Sequence, residues 1–180
     1  MKLQGKRLLL LGGSLWKEAI QNYAVKNDIT LIATGNDQSA GIFQIAQEGY
    51  AVDSTDAEAM KKLIIEKKID GVYMGGSEAV CSVACKYLNE LGMPCYCTKE
   101  QWDFLENKAN FKTLCEQFGL PVAKRYPYPA ADHDSMQIDF PVITKPTDGS
   151  GSHGFSVCHN LEELRKGYET AKKESPSGGV

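Results

Sequence analysis

The sequence has no long apolar run, no excess of basic charge, no C-x-x-C pair and only three histidines. Each shortage removes a class of protein. A membrane-spanning helix needs ~20 consecutive apolar residues, and the run Leu8-Leu9-Leu10-Leu11-Gly12 falls far short of that. It is also too short for a signal-peptide core and lacks a small-residue cleavage site after it, so it reads as a buried strand of a cytoplasmic protein. Twenty basic residues stand against 23 acidic ones, for a formal net charge of −3, and none of the basic residues form a stripe. Neither nucleic acid nor membrane is therefore expected as a partner. The six cysteines are Cys81, Cys85, Cys95, Cys97, Cys115 and Cys158, with no histidine at zinc-finger spacing. Cys81 and Cys85 share a helix face and could in principle hold a metal. Small buried thiols in a reducing compartment are the simpler reading.

What is present is an alternation. Arg7–Leu11 reads as a strand closed by Gly12-Gly13-Ser14. The segment 15–25 has helical apolar spacing, with Ser14 as its cap. Further strands are expected at Thr30–Ala33, Tyr50–Val52, Gly71–Met74 and Pro94–Tyr96. A helix lined by Ala59, Met60, Leu63 and Ile64 follows the capping oxygens of 53–56. Another runs from Glu78 to Leu91, with Gly92 at its left-handed stop. Strands alternating with amphipathic helices predict a Rossmann-like parallel α/β sheet over residues 1–105. Ligands collect at the carboxyl ends of such strands. Two glycine turns fall there, Gly12-Gly13-Ser14 and Gly75-Gly76-Ser77. The first is not G-x-G-x-x-G, so a dinucleotide site there is unsupported.

From residue 106 the pattern changes to α+β. Lys99–Leu105 and Lys108–Phe118 read as successive helices, the second stopped by Gly119 and Pro121. A Pro- and Asp-rich loop spans 126–135. Strands at 140–145 and 155–158 flank the polar glycine-rich tip 147–154, and a helix capped by Asn160 covers 161–171. Lys145 ends a strand just before that tip. Backbone N–H groups in such a loop can approach phosphate oxygens closely, and a lysine adds a point charge against them. A long glycine-rich tip can also open and close over a nucleotide. Alone, the same features describe a mobile surface hairpin.

Asn107-Lys108, Phe111-Lys112 and 118–122, then 140–146, the glycine loop, 154–157 and 161–164, together resemble the first part of the ATP-grasp domain shared by biotin carboxylase, carbamoyl-phosphate synthase and phosphoribosylamine–glycine ligase. The resemblance implies a pre-ATP-grasp domain at 1–105 and an incomplete ATP-grasp domain at 106–180. It implies ATP phosphates held by Lys108 and Lys145 beneath a lid of Gly149, Ser150, Gly151, Ser152, His153 and Gly154. Asn107 stands where the family often has Asp. A second substrate is implied near Gly12, Gly13, Ser14, Gly76, Ser77 and Glu78, although Glu78 could equally serve its helix dipole. The implied function is ATP-dependent joining of a small carboxylate to an amine or ammonia through an acyl phosphate, by a homo-oligomer. Magnesium is expected in the complete protein, with its ligands outside these residues, so that the 180 residues alone would not turn over. The rival reading is a non-catalytic binding or dimerisation module of Rossmann-like fold.

Overall fold

A computed structural model describes residues 3–12, 16–126 and 137–180. The chain forms two compact units, Met1–Trp102 and Asp103–Val180.

In the first unit, β1 (Arg7–Leu11), β2 (Thr30–Thr34), β3 (Glu48–Tyr50) and β4 (Gly71–Tyr73) form a parallel sheet in the order β3-β2-β1-β4. Side chains alternate across a strand, and the leucine run uses both faces. Leu9 and Leu11 join the core cluster of α2 (Ala57–Glu66) and α3 (Glu78–Glu90), together with Met60, Leu63, Ile64, Ala84 and Leu88. Leu10 joins Ala24 of α1 (Lys17–Asn27) with Leu31, Ala33 and Ile42 on the other face. The helices are locally encoded. Asp56 caps α2 by accepting from Ala59 N at 3.0 Å. At the end of α3, Gly92 takes φ +64°, with Gly92 N bonded to Asn89 O and Met93 N to Leu88 O. These paired bonds satisfy carbonyls that the helix leaves open, in a conformation that suits glycine.

The structure corrects three expectations. The third strand lies at Glu48–Tyr50, two residues before the expected start, because Arg7 grips Glu48 (Nη2 to carboxylate, 2.9 Å) and Thr34 Oγ1 donates to Val52 O at 2.9 Å, past the end of the ladder. The strand expected at Pro94–Tyr96 does not form. Proline has no N–H to offer, Met93 N is spent on the α3 stop, and Met74 N donates to the Tyr96 hydroxyl at 3.2 Å instead of to a neighbouring strand. Helix α1 starts at Lys17 with Trp16 as its cap residue, without a side-chain cap bond; Ser14 lies outside the described residues.

α4 (Lys99–Glu106) crosses into the second unit. There α5 (Lys108–Gln117) is followed by the antiparallel pair β5 (Val142–Thr144) and β6 (Ser156–Cys158), then α6 (Leu161–Glu174). Both strands are shorter than expected, and most of the 126–135 loop lies outside the described residues. Asn160 caps α6 by accepting from Glu163 N at 2.9 Å. α6 lies on the small sheet through Gly167. A Cβ there would come within 2.6 Å of Thr144 Oγ1 and 3.0 Å of Cys158 Sγ, so only glycine allows this approach. The other sheet face, with Ile143 opposite Val157, is open.

Candidate functional site

The second unit contains a cavity of about 530 Å³. α5 gives it Lys108 and Lys112, the segment after α5 gives Lys124, Arg125 and Tyr126, and β5 and its flanks give Ile143, Thr144, Lys145 and Thr147. Five cations therefore line one hollow. Two are neutralised by carboxylates: Lys124 by Asp139 at 2.8 Å and Arg125 by Glu116 at 2.6 Å. Among the described residues no carboxylate lies within ion-pair distance of Lys108, Lys112 or Lys145. Burial, and next the charges of Lys145 and Arg125, pull the Lys112 ammonium below its ordinary 10.5, with Glu116 opposing as the smallest influence.

Lys108 is tied to the glycine-rich segment twice. Its backbone N donates to Thr147 O at 2.8 Å, and its Nζ donates to Gly149 O at 2.7 Å. The residue before it is a cap: Asn107 Oδ1 accepts from Ala109 N at 3.0 Å and Asn110 N at 3.1 Å. Asn and Asp serve equally well as helix caps, which accounts physically for Asn at this position. The far side of the segment is anchored by Asp148, whose carboxylate accepts from the Ser175 hydroxyl and from Ser177 N at 2.9 Å. Thr147 N donates to Gly179 O at 3.0 Å. Burial works against the Asp148 charge, yet the bonds from Ser175 and Ser177 outweigh it and hold the carboxyl below its ordinary 3.8.

Lys108 and Lys145 thus open on one cavity. Gly149, Ser150, Gly151, Ser152 and His153 form an exposed loop beside it and do not line it. Gly149, Gly151, Ser152 and Gly154 take positive φ of 106°, 68°, 59° and 71°. At Gly154 a Cβ would meet Pro146 Cγ at 3.0 Å and Glu174 Cβ at 2.9 Å, so the loop closes tightly onto the unit.

In the first unit, Gly12 (φ +68°) ends β1 and exposed Gly76, Ser77 and Glu78 follow β4. β1 and β4 are parallel neighbours, so Gly12 and Gly75 follow their strands at the same carboxyl end of the sheet. Ser77 caps α3 by accepting from Val80 N at 3.5 Å, and Glu78 stands in the first helical turn. Gly13 and Ser14 lie outside the described residues. The sequence alone assigns no role to Lys112, Asn107 or Asp148. Lys112 is reachable, being one helical turn beyond Lys108 on the same face, and Asn107 is reachable as a cap directly before a helix. The Asp148 bonds join residues 27 and 29 positions apart and leave no local signal.

The segment that builds this cavity, residues 107–179, matches the family described as carbamoyl-phosphate synthase L chain, ATP binding domain. Over nearly its full length the chain is similar to formate-dependent phosphoribosylglycinamide formyltransferases. The relative from Bacillus subtilis (strain 168) is 29% identical over 173 residues, covering 93% of this chain. The relative from Pasteurella multocida (strain Pm70) is 25% identical over 180 residues, covering 96%. The chain spans 44% of the length of each of them. The fold is also that of the biotin carboxylase domain of Hydrogenobacter thermophilus 2-oxoglutarate carboxylase, solved with MgADP, ADP and bicarbonate (TM-score 0.77, 20% identity, 94% of this chain and 41% of that one). N5-carboxyaminoimidazole ribonucleotide synthetase from Thermotoga maritima shares it as well (TM-score 0.68, 19% identity, 89% of this chain and 43% of that one).

Proposed function

We propose that this chain supplies the nucleotide-holding part of an ATP-dependent ligase that activates a small carboxylate as an acyl phosphate and passes the acyl group to an amine. The observation that carries this reading is the cavity itself, where Lys108 and Lys145 present charge without a carboxylate partner among the described residues, beside a glycine-rich loop that Lys108 also anchors. Phosphoryl transfer is catalysed mainly by positioning and charge stabilisation, and these residues do both. Lys108 and Lys145 hold the phosphate oxygens. The 149–154 loop places backbone N–H groups over them and excludes water when it closes. Residues 1–105 act as the pre-ATP-grasp domain and 106–180 as the first part of the ATP-grasp domain. Gly12, Gly13, Ser14, Gly76, Ser77 and Glu78, which follow β1 and β4 in the chain, face the second substrate. Among the described residues no three His, Cys, Asp or Glu side chains are grouped to hold a metal ion.

The names of the curated relatives narrow the substrates to test first, formate as the carboxylate and phosphoribosylglycinamide as the amine. Hydroxylamine trapping tests the reaction in the protein carried by its natural reading frame. ATP and formate should yield formohydroxamate, and Lys145→Ala should abolish it. ATP binding by the 180 residues tests the cavity independently. Equal ATP affinity in the parent and in Lys145→Ala would remove this cavity from consideration as the nucleotide site.

A further inference from the structure

Lys112 is a cation without an assigned task. Its stem is half-buried on α5, and its ammonium has no ion pair or hydrogen bond among the described residues. Charged groups act on it from β5, from the segment after α5 and from its own helix. Lys145 from β5 and Arg125 from the segment after α5 repel it, and Glu116 on its own helix attracts it weakly. Glu116 is already engaged by Arg125 at 2.6 Å. Lys108 lies one turn earlier on the same helix face and lines the same cavity. Placing like charges together in partly desolvated space is unfavourable. An anion in the cavity would remove that cost, because each ammonium gains a partner and their mutual repulsion is screened by the charge between them.

We propose that Lys112 is a third anion-binding lysine of this cavity, acting with Lys108 and Lys145 on the oxygens of a nucleoside triphosphate, and that it makes the site prefer a triphosphate over a diphosphate. The inference rests on the nucleotide reading of the cavity and adds to it a residue and a selectivity. Three lysines line one cavity, and a triphosphate carries one more negative charge than a diphosphate, so each lysine attracts it more strongly. Removing one should therefore cost the more highly charged ligand more.

The arrangement also has a pH signature. The ammonium of Lys112 loses its proton more readily than an ordinary lysine. A bound polyanion favours the protonated form, so binding takes up a proton wherever free Lys112 is partly neutral. Triphosphate affinity should fall as pH rises through that range. Arginine stays charged throughout, so Lys112→Arg should move the fall to higher pH.

The test is calorimetric titration of the 180-residue chain, at fixed low ionic strength, with ATP, ADP and inorganic tripolyphosphate. Parent, Lys112→Ala, Lys112→Arg and Lys145→Ala are compared, with circular dichroism confirming that each folds. The expected result is about tenfold weaker ATP and tripolyphosphate binding in Lys112→Ala, a smaller loss for ADP, and recovery in Lys112→Arg with the pH shift. ATP binding weakened by Lys145→Ala but unchanged by Lys112→Ala overturns the role of Lys112 and leaves the nucleotide reading standing. Equal losses for ATP and ADP in Lys112→Ala overturn the selectivity. An ATP affinity that none of the substitutions changes overturns the nucleotide reading itself, and the Lys112 inference with it.

Discussion

Lys108 and Gly149, 41 positions apart in sequence, meet through a 2.7 Å bond from the lysine ammonium to the glycine carbonyl. One side chain therefore both faces the cavity and fixes the first residue of the glycine-rich loop. A ligand that draws the ammonium away from Gly149 also frees the loop's leading end.

Lys108→Met keeps the apolar stem and removes the donor. Amide exchange at residues 150–154 should then quicken roughly fivefold, the effect of losing about 1 kcal/mol of local stability. Hydrogen exchange read by mass spectrometry on the loop peptide provides the check. Unchanged exchange would mean that the bond does not restrain the loop.

Gly167→Ala should destabilise the second unit. Alanine gains up to about 1 kcal/mol of helix propensity over glycine. The new methyl group would stand 2.6 Å from Thr144 Oγ1 and 3.1 Å from Ser156 Cβ, in a contact with little room to yield. Overpacking of this kind costs about 1–3 kcal/mol, so the net sign is unfavourable. Urea unfolding followed by a probe in α6 should show the midpoint fall, while a probe in the first unit should not move.

Asp148 gives the loop anchor a pH dependence. Its folded-state pKa is depressed from 3.8, so its contribution is present above that value and is lost as pH falls through the lower folded value. Thermal melts between pH 6 and pH 3 should show the parent losing stability more steeply at the acid end than Asp148→Asn. Parallel curves would show that the Ser175 and Ser177 bonds contribute no net stability.

The thiols should sort by burial. Cys85 touches Cys95 and Cys97 at 3.8 Å each, and burial, then the bonds to these thiols, push its pKa far up; burial also raises that of Cys81. The thiolate is the reactive form. Iodoacetamide at pH 8 should therefore label half-buried Cys115 well before Cys81 or Cys85. Simultaneous labelling of all three, read by peptide mass, would contradict the packed state of this cluster.

Much of the fold is legible because its signals are local. The leucine run, the Asp56 and Asn160 caps and the Gly92 stop each depend on a few neighbouring residues, and each appears where the pattern places it. Pro94–Tyr96 misleads because the segment has strand composition, while its hydrogen bonds are decided by Met74 and Leu88, neither of them adjacent in sequence. Within the cavity, Lys108 and Lys145 are reached by resemblance. Lys112 is named in the resemblance but given no role, because a lysine on an amphipathic helix ordinarily faces solvent. Its surroundings come from Arg125 and Lys145, which only the tertiary fold brings near.

The cap on α5 has a consequence of its own. Asn107 takes up the amides of Ala109 and Asn110, and Lys108 N is committed to Thr147. The helix therefore has no spare first-turn amide to offer, and what α5 brings to the cavity is the ammonium groups of Lys108 and Lys112. Amides read the shape of a ligand, because their direction is fixed; ammonium groups on flexible stems count its charge. On the nucleotide reading, the lysines respond to the ligand's charge density, and background salt sets how strongly they hold it.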